Sequence, residues 1–127
     1  MQCCNKNVLS CPLKVDEGLL RSAISRAYYA VFTMMRHALG PQYEDLNYLR
    51  QLSELRKCGV HELIINILKE SGHPDLADKL FHLRRKRVVV DYDVYVKISH
   101  KDLVWTVTVV REVLSEVCKR FRVTDNS

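Results

Sequence analysis

Apolar positions along this chain recur mostly with the period of a helix. The longest such run covers residues 21–39, RSAISRAYYAVFTMMRHAL. At about 100° per residue, Leu20, Ala23, Ile24, Ala27, Tyr28, Val31, Met34, Met35 and Ala38 share one broad face, which is expected to be core. The other side carries Ser22, Ser25, Arg26, Tyr29, Thr33 and Arg36. Hydroxyls and guanidinium groups there, in place of the Glu/Lys surface of a solvated helix, predict contact with something other than bulk water. Gly40 supplies a left-handed cap, and Pro41 cannot continue the helix.

Four more segments follow the same rule. Residues 44–57 read as a second helix with Tyr48, Leu49, Leu52 and Leu55 on one side. Val60, Leu63, Ile64, Ile67 and Leu68 define a third, closed by Ser71-Gly72. Pro74 suits the first position of a fourth, and Asp75 complements the positive end of its dipole. Residues 92–98 alternate like a strand but have no pairing partner elsewhere in the chain, so an extended linker is expected.

Ser99 with Asp102 three residues later then forms a variant capping box for a last helix. Its core stripe reads Leu103, Val107, Val110, Leu114, Val117 and Phe121. A second stripe, Trp105, Val109 and Val113, falls on another side, which predicts a homodimer contact. The expectation is an all-α, up-and-down helical bundle of about five helices over residues 15–122, with an irregular arm at 1–14 and a tail at 123–127.

A length of 127 residues accommodates one core, and 47% hydrophobic residues argue against disorder. The net charge of +5 favours an anionic partner. No apolar run is long enough to span a bilayer or to form a signal peptide, so a cytoplasmic protein with no membrane contact is expected. The five cysteines, Cys3, Cys4, Cys11, Cys58 and Cys118, contain no C-x-x-C pair, so free thiols, no metal and no cofactor are expected.

The fourth helix holds the informative chemistry. Leu76, Leu80 and Leu83 mark its buried line, and Arg87 falls next on it. A buried guanidinium needs an acceptor, and Asp91, one turn on, can supply it. Arg84 lies one turn before on the same side, giving a row Arg84, Arg87, Asp91 that ends at Tyr92. Two readings stand open. Arg87 and Asp91 form a structural ion pair, or Arg84 and Arg87 grip a phosphate while Asp91 orients them and Tyr92 offers a hydroxyl.

Residues 25–32, SRAYYAVF, resemble the first motif of the HEPN superfamily, in particular its short stand-alone prokaryotic members. Arg87 followed by Val90-Asp91-Tyr92 is similar to their second motif, an arginine shortly before Ala-Asp-Tyr at a helix end. The resemblance spans residues 15–121. It implies a dimeric helical bundle, with Arg26 and Tyr29 close to the arginine motif. It further implies a nucleotide- or RNA-binding protein, partner of a minimal nucleotidyltransferase in a toxin–antitoxin-like module.

Two alternatives remain: a metal-independent HEPN endoribonuclease acting through Arg87, Asp91 and Tyr92, and a non-catalytic dimerisation module. The chain departs from the family in two places. It has room for only a fragment of the helix that usually precedes SRAYYA, and Tyr92 stands where HEPN ribonucleases carry a histidine. An unperturbed tyrosine, with a pKa of about 10, is a poor substitute for imidazole. His82 and His100 are near in sequence, but the first points to another side of the helix and the second begins the next one.

Overall fold

Residues 17–121 are described by the structure, a computed structural model; the expected arm at 1–14 and tail at 123–127 lie outside them. The described residues form a bundle of five helices with no strand: α1 (Glu17–Leu39), α2 (Leu46–Arg56), α3 (Val60–Glu70), α4 (Pro74–Tyr92) and α5 (His100–Phe121). None of these helices is long and apolar enough to cross a membrane.

Helix α1 is the central element and packs chiefly against α4 and α5, while α3 covers α4 from another side. Its buried residues are Leu20, Ile24, Tyr28, Val31, Phe32 and Met35. Phe32, absent from the expected face, joins the core, whereas Ala23, Ala27, Met34 and Ala38 are only partly covered. The polar side divides: Ser22, Arg26 and Thr33 face solvent, while Ser25, Tyr29 and Arg36 touch neighbouring elements.

The second helix starts later than its pattern suggests. Residues Pro41–Glu44 form a 3-10 turn, opened by Gly40 at φ 145° and stabilised by Tyr43 N–H to the Gly40 carbonyl at 3.1 Å. Asp45 then caps α2, its carboxylate accepting from the amides of Asn47 (2.9 Å) and Tyr48 (3.4 Å). Lys57, at φ 57°, ends the helix outside it. Leu49 is fully buried and Leu52 partly so, but Tyr48 is 37% exposed and Leu55 79% exposed, contrary to the expected stripe.

Helix α3 buries Leu63, Ile64, Ile65, Ile67 and Leu68, and α4 buries Leu76, Ala77, Leu80, Leu83, Arg87 and Val90. The capping box before α5 forms, with Asp102 Oδ2 accepting from the Ser99 amide at 2.8 Å. Lys86 donates to the other oxygen of Asp102 at 2.7 Å. That ammonium, followed by the Ser99 amide, holds the Asp102 carboxyl below its usual range.

The stripe assignment on α5 requires correction. Its fully covered line is Thr106, Val113 and Val117, with Val109 and Val110 packed on the main core. Val113 and Val109, assigned to a dimer contact, therefore belong inside, and Val107, assigned to the core, is exposed. The cause is Thr106. Its hydroxyl donates to the Asp102 carbonyl at 2.9 Å, so the side chain is buried with its polar group satisfied. A hydropathy pattern passes over such a residue. Trp105 lies at the edge between α4 and α5, its ring 5.4 Å from Lys86 Nζ.

Residues 93–99 form an irregular connection, as expected, anchored by Ile98, which packs with Leu20, Ile24 and Val90. Arg21 binds this connection from α1. Its Nη1 donates to the carbonyls of Val90 (2.9 Å), Asp93 (3.1 Å) and Val89 (3.5 Å), and its Nη2 to that of Val96. Glu17 holds the same guanidinium at 3.0 Å and accepts from the Ile98 amide at 3.0 Å. The Ile98 amide and then Arg21 keep the Glu17 carboxyl low. One arginine thus satisfies the Val90 carbonyl at the C-terminus of α4, adds a second donor to that of Val89, which already accepts from the Asp93 amide, and holds the following loop.

Candidate functional site

Helix α4 carries Arg84 and Arg87 on the face turned toward α1 and α3. Leu76, Leu80 and Leu83 fix that orientation, because burying them leaves Arg87, one turn on, no route to solvent. Arg87 is 6% exposed. Its guanidinium lies 5.0 Å from the ring centroid of Tyr29 and 5.6 Å from that of Tyr28, both on α1. Nη1 reaches Asp91 Oδ2 at 3.3 Å, and the same oxygen accepts from Ser25 Oγ at 3.3 Å. The Nε atoms of Arg84 and Arg87 are buried and have no acceptor among the described residues. Such donors carry a desolvation penalty of about 1–3 kcal/mol each until something accepts from them.

Helix α3 contributes His61, whose ring packs 4.4 Å from Phe32 and whose Nδ1 is 2.6 Å from the Tyr28 hydroxyl. Burial, then the neighbouring guanidinium groups of Arg84 and Arg87 and finally Arg36, lower His61 from its usual 6.5 to about 4. Tyr28 is shifted upward by burial, so its hydroxyl keeps its hydrogen. It shares its hydrogen bond with His61 Nδ1, the tautomer of the neutral imidazole setting which of the two donates. The site presents N–H donors on Arg84 and Arg87, a chemistry suited to anion oxygens.

The residues expected at the site are brought together in part. Arg84, Arg87, Asp91 and Tyr29 form one cluster. Arg26 sits on its flank, lining with Arg21, Ser25 and Asp91 a recess of about 290 Å³. Asp91 therefore separates two basic surfaces. Tyr92 does not join: it ends α4 with 72% of its surface exposed, and among the described residues no hydrogen bond or ring contact links it to Arg87. Five residues advance a helix by about 140° beyond a full turn, which turns Tyr92 off the Arg87 face. His82 and His100 are both exposed.

His61 is the residue missed by the sequence reading. It lies three and four residues before Ile64 and Ile65, on the buried line that continues to Leu68, and a histidine on such a line signals a satisfied or functional imidazole. Cys58 and Cys118 are free thiols, and Cys3, Cys4 and Cys11 lie outside the described residues.

Neutral His61 makes folding sensitive to acid. Its folded value, about 4, is below the unfolded 6.5, so the stabilisation is complete above pH 6.5 and is lost as pH falls toward about 4. After discounting for partial exposure, the loss is about 1–2 kcal/mol. Thermal melts between these limits are expected to slope with pH in the wild type and to flatten in His61→Gln; equal slopes in both proteins would remove this assignment.

No protein-family model matches the chain, and no curated protein or solved structure gives a significant match to it.

Proposed function

We propose that the chain is a HEPN-type protein that binds the phosphate of a nucleotide or RNA through Arg84 and Arg87. In this reading it acts as a homodimer, as partner of a minimal nucleotidyltransferase in a toxin–antitoxin-like module. The observation that carries the anion site is the pair of buried Nε donors on Arg84 and Arg87 without acceptors among the described residues. The HEPN reading is supported by the meeting of its two motif regions, Ser25 and Tyr29 against Arg87 and Asp91, across 66 residues of sequence. Tyr29 and Asp91 orient Arg87, and Arg26 extends the positive surface along which a nucleic-acid backbone would run. The dimer is supported by Val104 and Val107, apolar neighbours left 53% and 39% exposed on the outer face of α5.

His61 favours a second reading, the metal-independent endoribonuclease, because it places an imidazole beside Arg87 where the motif histidine is absent. With Nδ1 hydrogen-bonded to Tyr28 and its value lowered to about 4, however, His61 is a weak base for a 2′-hydroxyl. Binding is therefore preferred to cleavage, with Arg87 and Asp91 positioning the ligand instead of reacting with it, and Tyr92 outside the cluster.

Calorimetric titration of the protein with inorganic phosphate, adenosine monophosphate and single-stranded RNA tests both readings. Saturable binding that weakens with salt, with RNA left intact in the presence of chelator, supports the binding protein. Chelator-resistant cleavage lost in His61→Gln selects the ribonuclease, and absence of binding to all three ligands overturns the anion site. Sedimentation that finds only monomers up to millimolar concentration rules out the homodimer.

A further inference from the structure

Helix α4 is basic on two faces, and only one is used by the site above. On the other, His82, Arg85, Lys86 and Val89 follow one another at helical spacing and face the first turns of α5. Together with Lys101 and Trp105 they line an open recess of about 490 Å³. Its one carboxylate, Asp102, is already engaged by Lys86 Nζ and the Ser99 amide. Among the described residues, Arg85 and Lys101 therefore lack an anionic partner within the recess. Arg85 is held 5.8 Å from the ring of Phe81, an aromatic residue 41% exposed at the rim.

Trp105 remains 39% exposed although Lys86 lies over its ring. A large planar side chain on an apolar floor supplied by Val89, flanked by cations without counter-ions, combines the two elements of single-strand recognition. Those are a π-surface for a base and fixed positive charge for the backbone. The recess is large enough for one nucleotide.

We infer that the α4–α5 recess is a second binding site, one that stacks a base of single-stranded RNA on Trp105 and holds the adjoining phosphate with Arg85 and Lys101. It goes beyond the Arg84–Arg87 site and shares no residue with it. Lys86, fixed by Asp102, positions the indole.

Trp105 is the chain's single tryptophan, so intrinsic fluorescence reads this site directly. Titration of the full chain with single-stranded oligouridylate is expected to quench it saturably. The joint substitution Arg85→Ala and Lys101→Ala should weaken the quench about ten-fold and reduce its salt dependence by about two phosphate contacts. Lys69→Ala, which removes an exposed cation of α3 outside both sites, should leave the quench unchanged. Trp105→Ala, followed by anisotropy of labelled RNA, should weaken binding about ten-fold, the range measured for loss of one stacked base. The inference is overturned by no quench, by a quench indifferent to Arg85 and Lys101, or by an equal quench with polyglutamate. Loss of the RNA quench on raising protein concentration also overturns it, because a second copy then covers Trp105.

Discussion

Arg87→Met is expected to lower phosphate affinity ten- to a hundred-fold while leaving the melting temperature nearly unchanged. Methionine keeps an unbranched stem against Tyr28 and Tyr29 but removes the charge and the buried Nε that lacks an acceptor. Charge-assisted hydrogen bonds to an anion contribute about 1.5–3 kcal/mol each, which sets the expected loss. On the stability side, removing an unsatisfied buried donor offsets the loss of the Asp91 contact. That contact is a 3.3 Å pair whose carboxylate keeps the Ser25 hydroxyl and partial solvent access. The net change should stay within about 1 kcal/mol. Arg84→Ala should act in the same direction. Calorimetry at two salt concentrations beside thermal melts decides the matter. A destabilisation of about 3–5 kcal/mol with unaltered affinity would show that Arg87 and Asp91 are a structural pair and nothing more.

Arg21→Ala should have the opposite signature, a large loss of stability, because its guanidinium is the donor to the carbonyls of Val90, Asp93 and Val96 at the end of α4 and in the following loop. Its side chain is 18% exposed, so little water is available to replace it. Leaving these carbonyls and Glu17 without their donor should cost about 2–4 kcal/mol. Arg21→Lys keeps the charge but cannot span the carbonyls with one ammonium, and should recover less than half. Hydrogen exchange should localise the effect to the amide of Ile98 and its neighbours. Wild-type protection there in Arg21→Ala would show that the loop is held by the packing of Ile98 alone.

Much of the bundle is legible because α1, α3 and α4 bury one continuous apolar line each, and nothing competes with the period. Pro74 and the Ser99–Asp102 box mark their helix starts for the same local reasons that operate in the fold. Where the reading slips, a polar group has taken a place that hydropathy does not see. Asp45 captures the N-cap of α2 and moves the helix start past Glu44, while Leu55, six positions beyond buried Leu49 and so about 120° round the helix, stays in solvent. Thr106 satisfies its hydroxyl on its own helix and enters the core, so the buried line of α5 passes through Val113 instead of Val107.

The arginine row was visible from the spacing of Leu76, Leu80, Leu83 and Arg87. The imidazole beside it was not, because His61 comes from a different helix, 26 positions before Arg87. Tyr92 was placed with the row by its adjacency to Asp91, and adjacency along a helix turns a side chain by about 100°.

The clamp that Arg21 makes also has a temporal side. Helices α2, α3 and α4 follow one another through short connections, so their contacts can close quickly. The bond from Arg21 to Val90 joins residues 69 apart and requires α1 to meet the far end of the chain. Closing α1 onto α4 and α5 should therefore be the slow step, with the clamp forming after the apolar contacts of Ile24, Tyr28 and Val31. A late contact governs how fast the native state opens more than how fast it forms. In a chevron analysis, loss of Arg21 should steepen the route out of the fold, raising the unfolding rate by about one and a half to three orders of magnitude and barely moving the folding limb.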